Sequence, residues 1–285
     1  MKQNKTAIFI RGYKRTWDWI KNDTFKIFNQ AYGDDIDWYV AVWNSNTAVY
    51  DSMLKDFDGK NLKSFHMIDE KDYPMSMTIR GHGQPGFFHK WTHKLDVYWR
   101  LAYLDQLLSI DKIKHEFDTG IQYDTVLFTR FDLYNMCHNH DNEKYVKPKP
   151  FTISSETTRD EDLDFAIVDD WQYKTDSLTS DIVSFRFFDT YINDYYNQAT
   201  PLLPETLLSN YMFRNGIAYD AKTAHLYFTS FIIRPDQVDI FPLPTKNHLV
   251  CVPDTTPPWL SESSEYKLHH CSRANIDPIE YNIDY

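Results

Sequence analysis

Residues 123–133 read Tyr-Asp-Thr-Val-Leu-Phe-Thr-Arg-Phe-Asp-Leu. The middle of this stretch is a short run of apolar and β-branched residues, which is the pattern of a buried strand. Arg130 and Asp132 follow at the carboxyl end of the run. Because ligands of open α/β sheets bind at the carboxyl ends of the strands, we expect these two charged side chains to lie at a ligand-binding edge.

The beginning of the chain has a β-α-β pattern. Residues 7–10 form a compact apolar run, which ends in a polar turn at residues 11–16. From Trp17 to Tyr32 the apolar residues recur at the helical period, and Ile36–Trp43 is a second strand-like run. Such a unit favours a right-handed crossover between two parallel strands, with the loops that follow them at one edge of the sheet.

Strands and helices continue to alternate along the chain. The patterns predict helices over residues 48–57, 87–110, 184–196 and 205–214, strands over 63–68 and 164–170, and a glycine-rich loop over 80–86. Residues 238–285 are rich in proline and predict an irregular C-terminal tail. The whole pattern indicates an α/β fold in one domain, with a mostly parallel central sheet flanked by helices.

Composition and charge exclude several classes of protein. The formal net charge is −11, which removes the electrostatic attraction that drives nucleic-acid binding. The three cysteines are too few for a disulfide scaffold and favour free thiols in a reducing compartment. No apolar run approaches the roughly 18 residues of a membrane span, and the first apolar run is too short for a signal peptide. We expect a cytoplasmic protein without a transmembrane segment; the oligomeric state stays open.

Two arginines lie in the turn that is predicted to follow the first strand. The guanidiniums of Arg11 and Arg15, with the backbone at Gly12, suit a diphosphate because arginine makes forked, charge-assisted hydrogen bonds to phosphate oxygens. The alternative is an ordinary solvated turn. The glycine pattern matches neither a dinucleotide-binding motif nor a P-loop.

Arg130 and Asp132 form a second candidate site. Carboxylate oxygens bind hard cations such as Mg²⁺ or Mn²⁺, which bridge to substrate phosphates, while an arginine can bind phosphate directly. The alternative is a structural ion pair at the end of the strand.

Further carboxylates are candidates for acid-base chemistry. The strand predicted at 164–170 ends in Asp169 and Asp170, Asp176 lies a few residues beyond it, and Glu205 follows Pro204 at the start of a predicted helix. Helix capping would account for Glu205, but in a cleft it could also accept a proton from an attacking hydroxyl. The cysteine and histidine clusters lack the paired spacing of a structural zinc site.

The motifs at residues 7–16, 37–43 and 123–133 together resemble a group of GT-A-fold glycosyltransferases from large viruses, phages and bacterial surface-polysaccharide loci. In that group a strand of the type Tyr-Asp-x-Val-(three residues)-Arg-x-Asp takes the place of the usual Asp-x-Asp motif. The resemblance implies one GT-A-like, Rossmann-like domain over residues 1–285. Its nucleotide-sugar-binding half would be residues 7–135 and its acceptor-side half residues 136–237.

The resemblance also implies roles for individual residues. Asp132 matches the last aspartate of Asp-x-Asp, which binds Mn²⁺ or Mg²⁺ at the diphosphate of a UDP or GDP type donor sugar. Arg130 stands where the first aspartate would be. The chain therefore departs from the standard motif, and the resemblance does not establish a strict dependence on metal. Glu205 lies where many inverting enzymes of this fold have their base, and Asp170 is the second catalytic candidate. Arg11, Gly12, Arg15 and Trp43 would lie on the nucleotide side.

The expected function is therefore the transfer of a sugar from a nucleoside-diphosphate sugar to a carbohydrate hydroxyl. Two alternatives remain at this point. The same sheet edge and cation would serve a nucleotidyltransferase or a sugar-nucleotide hydrolase, and the many aromatic residues would suit a noncatalytic carbohydrate-binding protein.

Overall fold

The computed structural model describes residues 5–44, 46–73, 92–137, 147–155, 172–190, 204–219 and 228–232. The first half contains β1 (Thr6–Tyr13), α1 (Trp17–Tyr32), β2 (Ile36–Trp43), α2 (Thr47–Asp56), β3 (Asn61–Ile68), a 3-10 helix (Glu70–Asp72), α3 (Thr92–Thr119) and β4 (Thr125–Arg130). The second half contains β5 (Leu133–Cys137), β6 (Thr152–Ser155), β7 (Tyr173–Thr175), α4 (Ser177–Ser184), α5 (Arg186–Asp189), α6 (Pro204–Arg214), β8 (Ala218–Tyr219) and β9 (Phe228–Ile232).

One mixed sheet of seven strands organises these elements, in the order β3-β2-β1-β4-β7-β6-β8. The strands β3, β2, β1 and β4 are parallel to one another, whereas β7 is antiparallel to both β4 and β6. A separate antiparallel pair joins β5 to β9. The predicted α/β fold with a mostly parallel sheet is confirmed, and the sheet includes strands from both halves of the chain.

Helices cover both faces of the sheet, which explains why β1, β2 and β4 are buried along almost their whole length. On one face α1, α2 and the residue that follows α2 pack against the strands through aromatic residues such as Trp17, Phe28 and Phe57. On the other face α3 packs through Tyr98, Trp99 and neighbouring residues. No described helix is both long and apolar enough to cross a membrane.

The strand order reverses at β1. The chain adds β2 and then β3 on one side of β1, crosses over through α3, and adds β4 on the other side. In open α/β sheets the crevice at such a reversal, outside the carboxyl ends of the strands, is the usual ligand-binding position. The turns after β1 and β4 border this crevice.

Several predicted elements are confirmed. The helix Trp17–Tyr32 and the strand Ile36–Trp43 have the expected bounds, and α2, β3 and α6 differ from expectation by one or two residues. The helix predicted to end at residue 110 continues to Thr119. The predicted loop 80–86, strand 164–170 and tail 238–285 lie outside the described residues.

Two predicted boundaries were wrong. The first strand does not end at residue 10, because β1 pairs with β2 as far as Tyr13 and with β4 as far as Arg11. The helix predicted over 184–196 starts earlier: α4 begins at Ser177, where the Asp176 carboxylate accepts a hydrogen bond from the Thr179 amide at 2.9 Å. A turn at Phe185 then separates α4 from α5, and residues 191–196 lie outside the described part.

Candidate functional site

The carboxyl ends of β1 and β4 bring Arg15, Arg130 and Asp132 into direct contact. Arg130 binds the Asp132 carboxylate with both arms of a fork, since Nε donates to Oδ1 and Nη2 donates to Oδ2, each at 2.8 Å. Nη1 of Arg15 donates to the same Oδ2 at 2.6 Å. We call these three residues the Arg–Asp–Arg cluster. It joins the two strand ends that border the crevice.

Exposure differs sharply within the Arg–Asp–Arg cluster. The side chains of Asp132 and Arg130 are only 3% and 9% exposed, whereas that of Arg15 is 34% exposed. Burial alone would raise the pKa of Asp132, but the adjacent guanidiniums of Arg130 and Arg15 outweigh burial and lower it. Asp132 is therefore an anion near neutral pH, and Arg15 is the member that solvent reaches.

Arg15 combines an uncommon backbone conformation with unused hydrogen-bond donors. Its φ of 38° is positive, a conformation that costs a non-glycine residue about 1–2 kcal/mol. Of the donors on its guanidinium, only Nη1 binds a described residue, and the group lies 5.4 Å from the centroid of the Tyr13 ring. The strained turn thus holds a cation with free donors at the mouth of the crevice.

Several aromatic side chains lie beside the Arg–Asp–Arg cluster, near the ends of β1 and β2. Tyr13 and Trp43 are partners in the parallel register, and the hydroxyl of Tyr13 accepts a hydrogen bond from Nη1 of Arg100 at 3.4 Å. The Arg100 guanidinium also lies over the rings of Trp43 and Tyr73, at 5.6 and 5.1 Å from their centroids. Tyr13 therefore stands between two guanidiniums, one from Arg15 and one from α3.

Trp43 has an unsatisfied donor. The side chain is 2% exposed, and its indole Nε1 has no hydrogen-bond partner among the described residues. A buried indole N–H usually has an acceptor, so an unsatisfied one at this position is unusual.

Arg11 does not lie in the turn where the sequence predicted it. It belongs to β1 and is fully buried inside the fold: its Nε forms an ion pair with Asp105 of α3, and its Nη1 donates a hydrogen bond to the carbonyl oxygen of Thr129 at 2.8 Å. Arg186 of α5 pairs with the other oxygen of Asp105 at 2.7 Å. Arg11 thus belongs to a buried triad beneath the candidate site.

Gly12 follows Arg11 in β1 with a φ of 118°, a conformation that side-chain-bearing residues rarely adopt. This backbone geometry does not test the predicted nucleotide-binding role of Gly12, which remains a prediction.

The structure describes only some of the predicted catalytic carboxylates. Glu205 occupies the first turn of α6, as expected, but its side chain is outside the described part of the chain. Asp169 and Asp170 are outside it as well, whereas Asp176 is the N-cap of α4. Their roles as base or acid remain predictions.

The metal expected at Asp132 fits the described residues poorly. The two oxygens of Asp132 together accept three hydrogen bonds, and both donor residues, Arg15 and Arg130, are cations. In the ranges that the structure describes, no group of three or more His, Cys, Asp or Glu side chains could hold a metal ion. Divalent cations of this kind need several oxygen ligands, so Asp132 alone makes a weak site.

Sequence reasoning missed four residues that shape this region: Tyr13, Arg100, Asp105 and Arg186. One of them had a readable signal. Asp105 lies on the same helical stripe as Tyr98, Ala102 and Leu108, which are all fully buried. A charge on an apolar stripe predicts a buried ionic partner, because an unpaired buried charge is costly.

The chain matches no protein-family model, and a search of curated proteins finds no significant match.

The lowered pKa of Asp132 leads to a prediction on stability. The Asp132→Asn variant should lose about 2 kcal/mol at neutral pH, because the anion that binds two guanidiniums is gone. A lowered folded-state pKa stabilises the protein above the unfolded-state pKa, and the contribution is lost as pH falls through the folded-state pKa. Urea unfolding of both proteins between about pH 7 and pH 3 should show the difference shrinking below about pH 4. A difference that is constant over this range would contradict the assignment.

Proposed function

We propose that the protein is a glycosyltransferase that uses a nucleoside-diphosphate sugar as donor and a carbohydrate hydroxyl as acceptor. The observation that carries the proposal is the Arg–Asp–Arg cluster at the reversal of strand order. Its exposed member, Arg15, presents unused donors where ligands of open α/β sheets bind. Forked guanidinium groups suit the oxygens of a diphosphate.

The electrostatic setting supports an anionic ligand at this edge. The chain as a whole carries a net charge of −11, yet two arginines share one carboxylate in the cluster. The N-terminus of α1 follows Arg15 after one residue and adds the positive end of its helix dipole. A local cationic site in an acidic protein attracts an anion to one position rather than to the whole surface.

The chemistry of the proposed reaction assigns a task to each group. The bond between the anomeric carbon and the diphosphate oxygen breaks, and a new bond forms from that carbon to the acceptor oxygen. The electron pair leaves with the nucleoside diphosphate, whose negative charge the Arg15 guanidinium stabilises by charged hydrogen bonds. The acceptor proton passes to a carboxylate, for which Glu205 is our candidate and Asp170 the second. Glu205 as base implies inversion at the anomeric carbon.

Product analysis tests the proposal and separates it from the alternatives. The full chain is incubated with UDP-sugars and GDP-sugars, with and without a panel of oligosaccharide acceptors and with Mn²⁺ present or absent. We expect release of the nucleoside diphosphate that depends on acceptor, together with an extended glycan. Pyrophosphate release would indicate a nucleotidyltransferase instead. Stabilisation by free glycans but not by UDP or GDP in a thermal-shift assay would favour a binding protein.

A further inference from the structure

We propose that this site holds the donor diphosphate through guanidinium groups rather than through a divalent cation, with Asp132 acting as a positioning residue for Arg15 and Arg130. The inference rests on the proposed function and concerns how the same site binds its donor. It differs from the metal-binding role that the resemblance implies for Asp132.

The hydrogen-bonding capacity of Asp132 is nearly exhausted. A carboxylate offers about four acceptor positions, and Arg130 and Arg15 occupy three of them. A cation at Asp132 would have to displace at least one of these bonds or share the remaining position. It would also lie within a few ångströms of two positive guanidiniums, where the repulsion between like charges is strong.

The two arginines have different tasks. Arg130 is almost fully buried, and its guanidinium forms a bidentate contact with the Asp132 carboxylate. Arg15 makes one hydrogen bond to Asp132 and leaves the rest of its guanidinium toward solvent. Asp132 therefore orients Arg15 while leaving most of its donors for a ligand. A phosphate group can accept two parallel N–H bonds from such a fork.

The arrangement of charges in the Arg–Asp–Arg cluster is the reverse of that in a metal site. A site for Mn²⁺ or Mg²⁺ gathers several anionic or neutral oxygen ligands around an empty position. Here one carboxylate lies between two cations, and the ring of Tyr13 packs against the exposed one. The arrangement therefore already supplies the positive charge that a cation would bring to the leaving diphosphate.

Nucleotide binding with and without metal tests the inference. UDP and GDP are titrated calorimetrically into the full-length protein, first after dialysis against EDTA and then with Mn²⁺ or Mg²⁺ in excess. We expect a dissociation constant that changes by no more than about threefold between the two conditions. Binding that requires the cation would overturn this inference and leave the proposed function intact. Absence of binding in both conditions would overturn the proposed function and the inference with it.

The Asp132→Asn variant provides a second, independent readout. A metal ligand cannot be removed without losing the metal-bound nucleotide, whereas a positioning residue can be removed while the guanidiniums remain. We expect UDP or GDP affinity in EDTA to stay within about tenfold of the parent, while kcat falls by about tenfold or more because Arg15 is no longer held in place. A thermal melt confirms that the variant is folded at the assay temperature. Complete loss of nucleotide binding in the folded variant would contradict the positioning role.

Discussion

Replacing Asp105 with alanine should lower the free energy of unfolding by about 3–5 kcal/mol, the cost of breaking a buried ion pair by removing one partner. Asp105 lies between Arg11 and Arg186, and all three side chains are at most 1% exposed. The Tyr173 hydroxyl also donates to Asp105, at 3.3 Å. The variant would leave two buried guanidiniums without the carboxylate that neutralises them.

Urea unfolding followed by tryptophan fluorescence measures this loss, which is a large share of the roughly 5–15 kcal/mol that stabilises a typical domain. Asp18→Ala is a matched control, because Asp18 also contacts two cations, Lys14 and Lys21, but its side chain is 56% exposed. The control should cost no more than about 1 kcal/mol. Equal losses in the two variants would show that the buried triad contributes no more than a surface ion pair.

Replacing Arg15 with alanine should weaken the binding of UDP or GDP by about 100-fold, because two charge-assisted hydrogen bonds to the diphosphate would be lost. The fold should survive, since the Arg15 side chain is a third exposed and the buried pair of Arg130 with Asp132 remains. Titration calorimetry measures the affinity, and a thermal melt checks the fold.

Two further variants make this result specific. Arg15→Lys keeps the charge but removes the fork, so it should recover only part of the affinity. Arg214→Ala removes another partly exposed arginine, which lies at the end of α6 and pairs with Asp189 at the end of α5. This variant should leave nucleotide affinity unchanged. If Arg15→Ala binds nucleotide as tightly as the parent protein, Arg15 does not contact the diphosphate.

Much of the fold followed from local patterns. The helix Trp17–Tyr32 and the strand Ile36–Trp43 were predicted with their observed bounds, because apolar periodicity reports directly on which side of an element is buried. The β5–β9 pair and the short strands β6, β7 and β8 were not predicted. They contain two to five residues each, too few for a periodic signal.

The candidate site was predicted in part. Arg130 and Asp132 lie at the end of a strand as expected, and Arg15 lies in the turn after β1. The contact between Arg15 and Asp132 joins residues 117 positions apart, and only the parallel pairing of β1 with β4 brings them together. Arg11 was expected beside Arg15, but three more residues of β1 are paired than the apolar run suggested.

Apolar periodicity and the charges at the strand ends are local properties, so the amino-acid sequence alone predicts the alternation of strands and helices and the edge at which to look for a site. The pairing of Arg130 with Asp132 is local, but the charge partners of Arg11 and Arg15 are distant in sequence. Whether Arg11 faces a ligand or Asp105, and whether a second guanidinium, that of Arg15, reaches Asp132, depends on how far each strand is paired and on which helix packs over it. Those pairings result from burial of both faces of the sheet, and they place Asp132 at the centre of an arginine cluster.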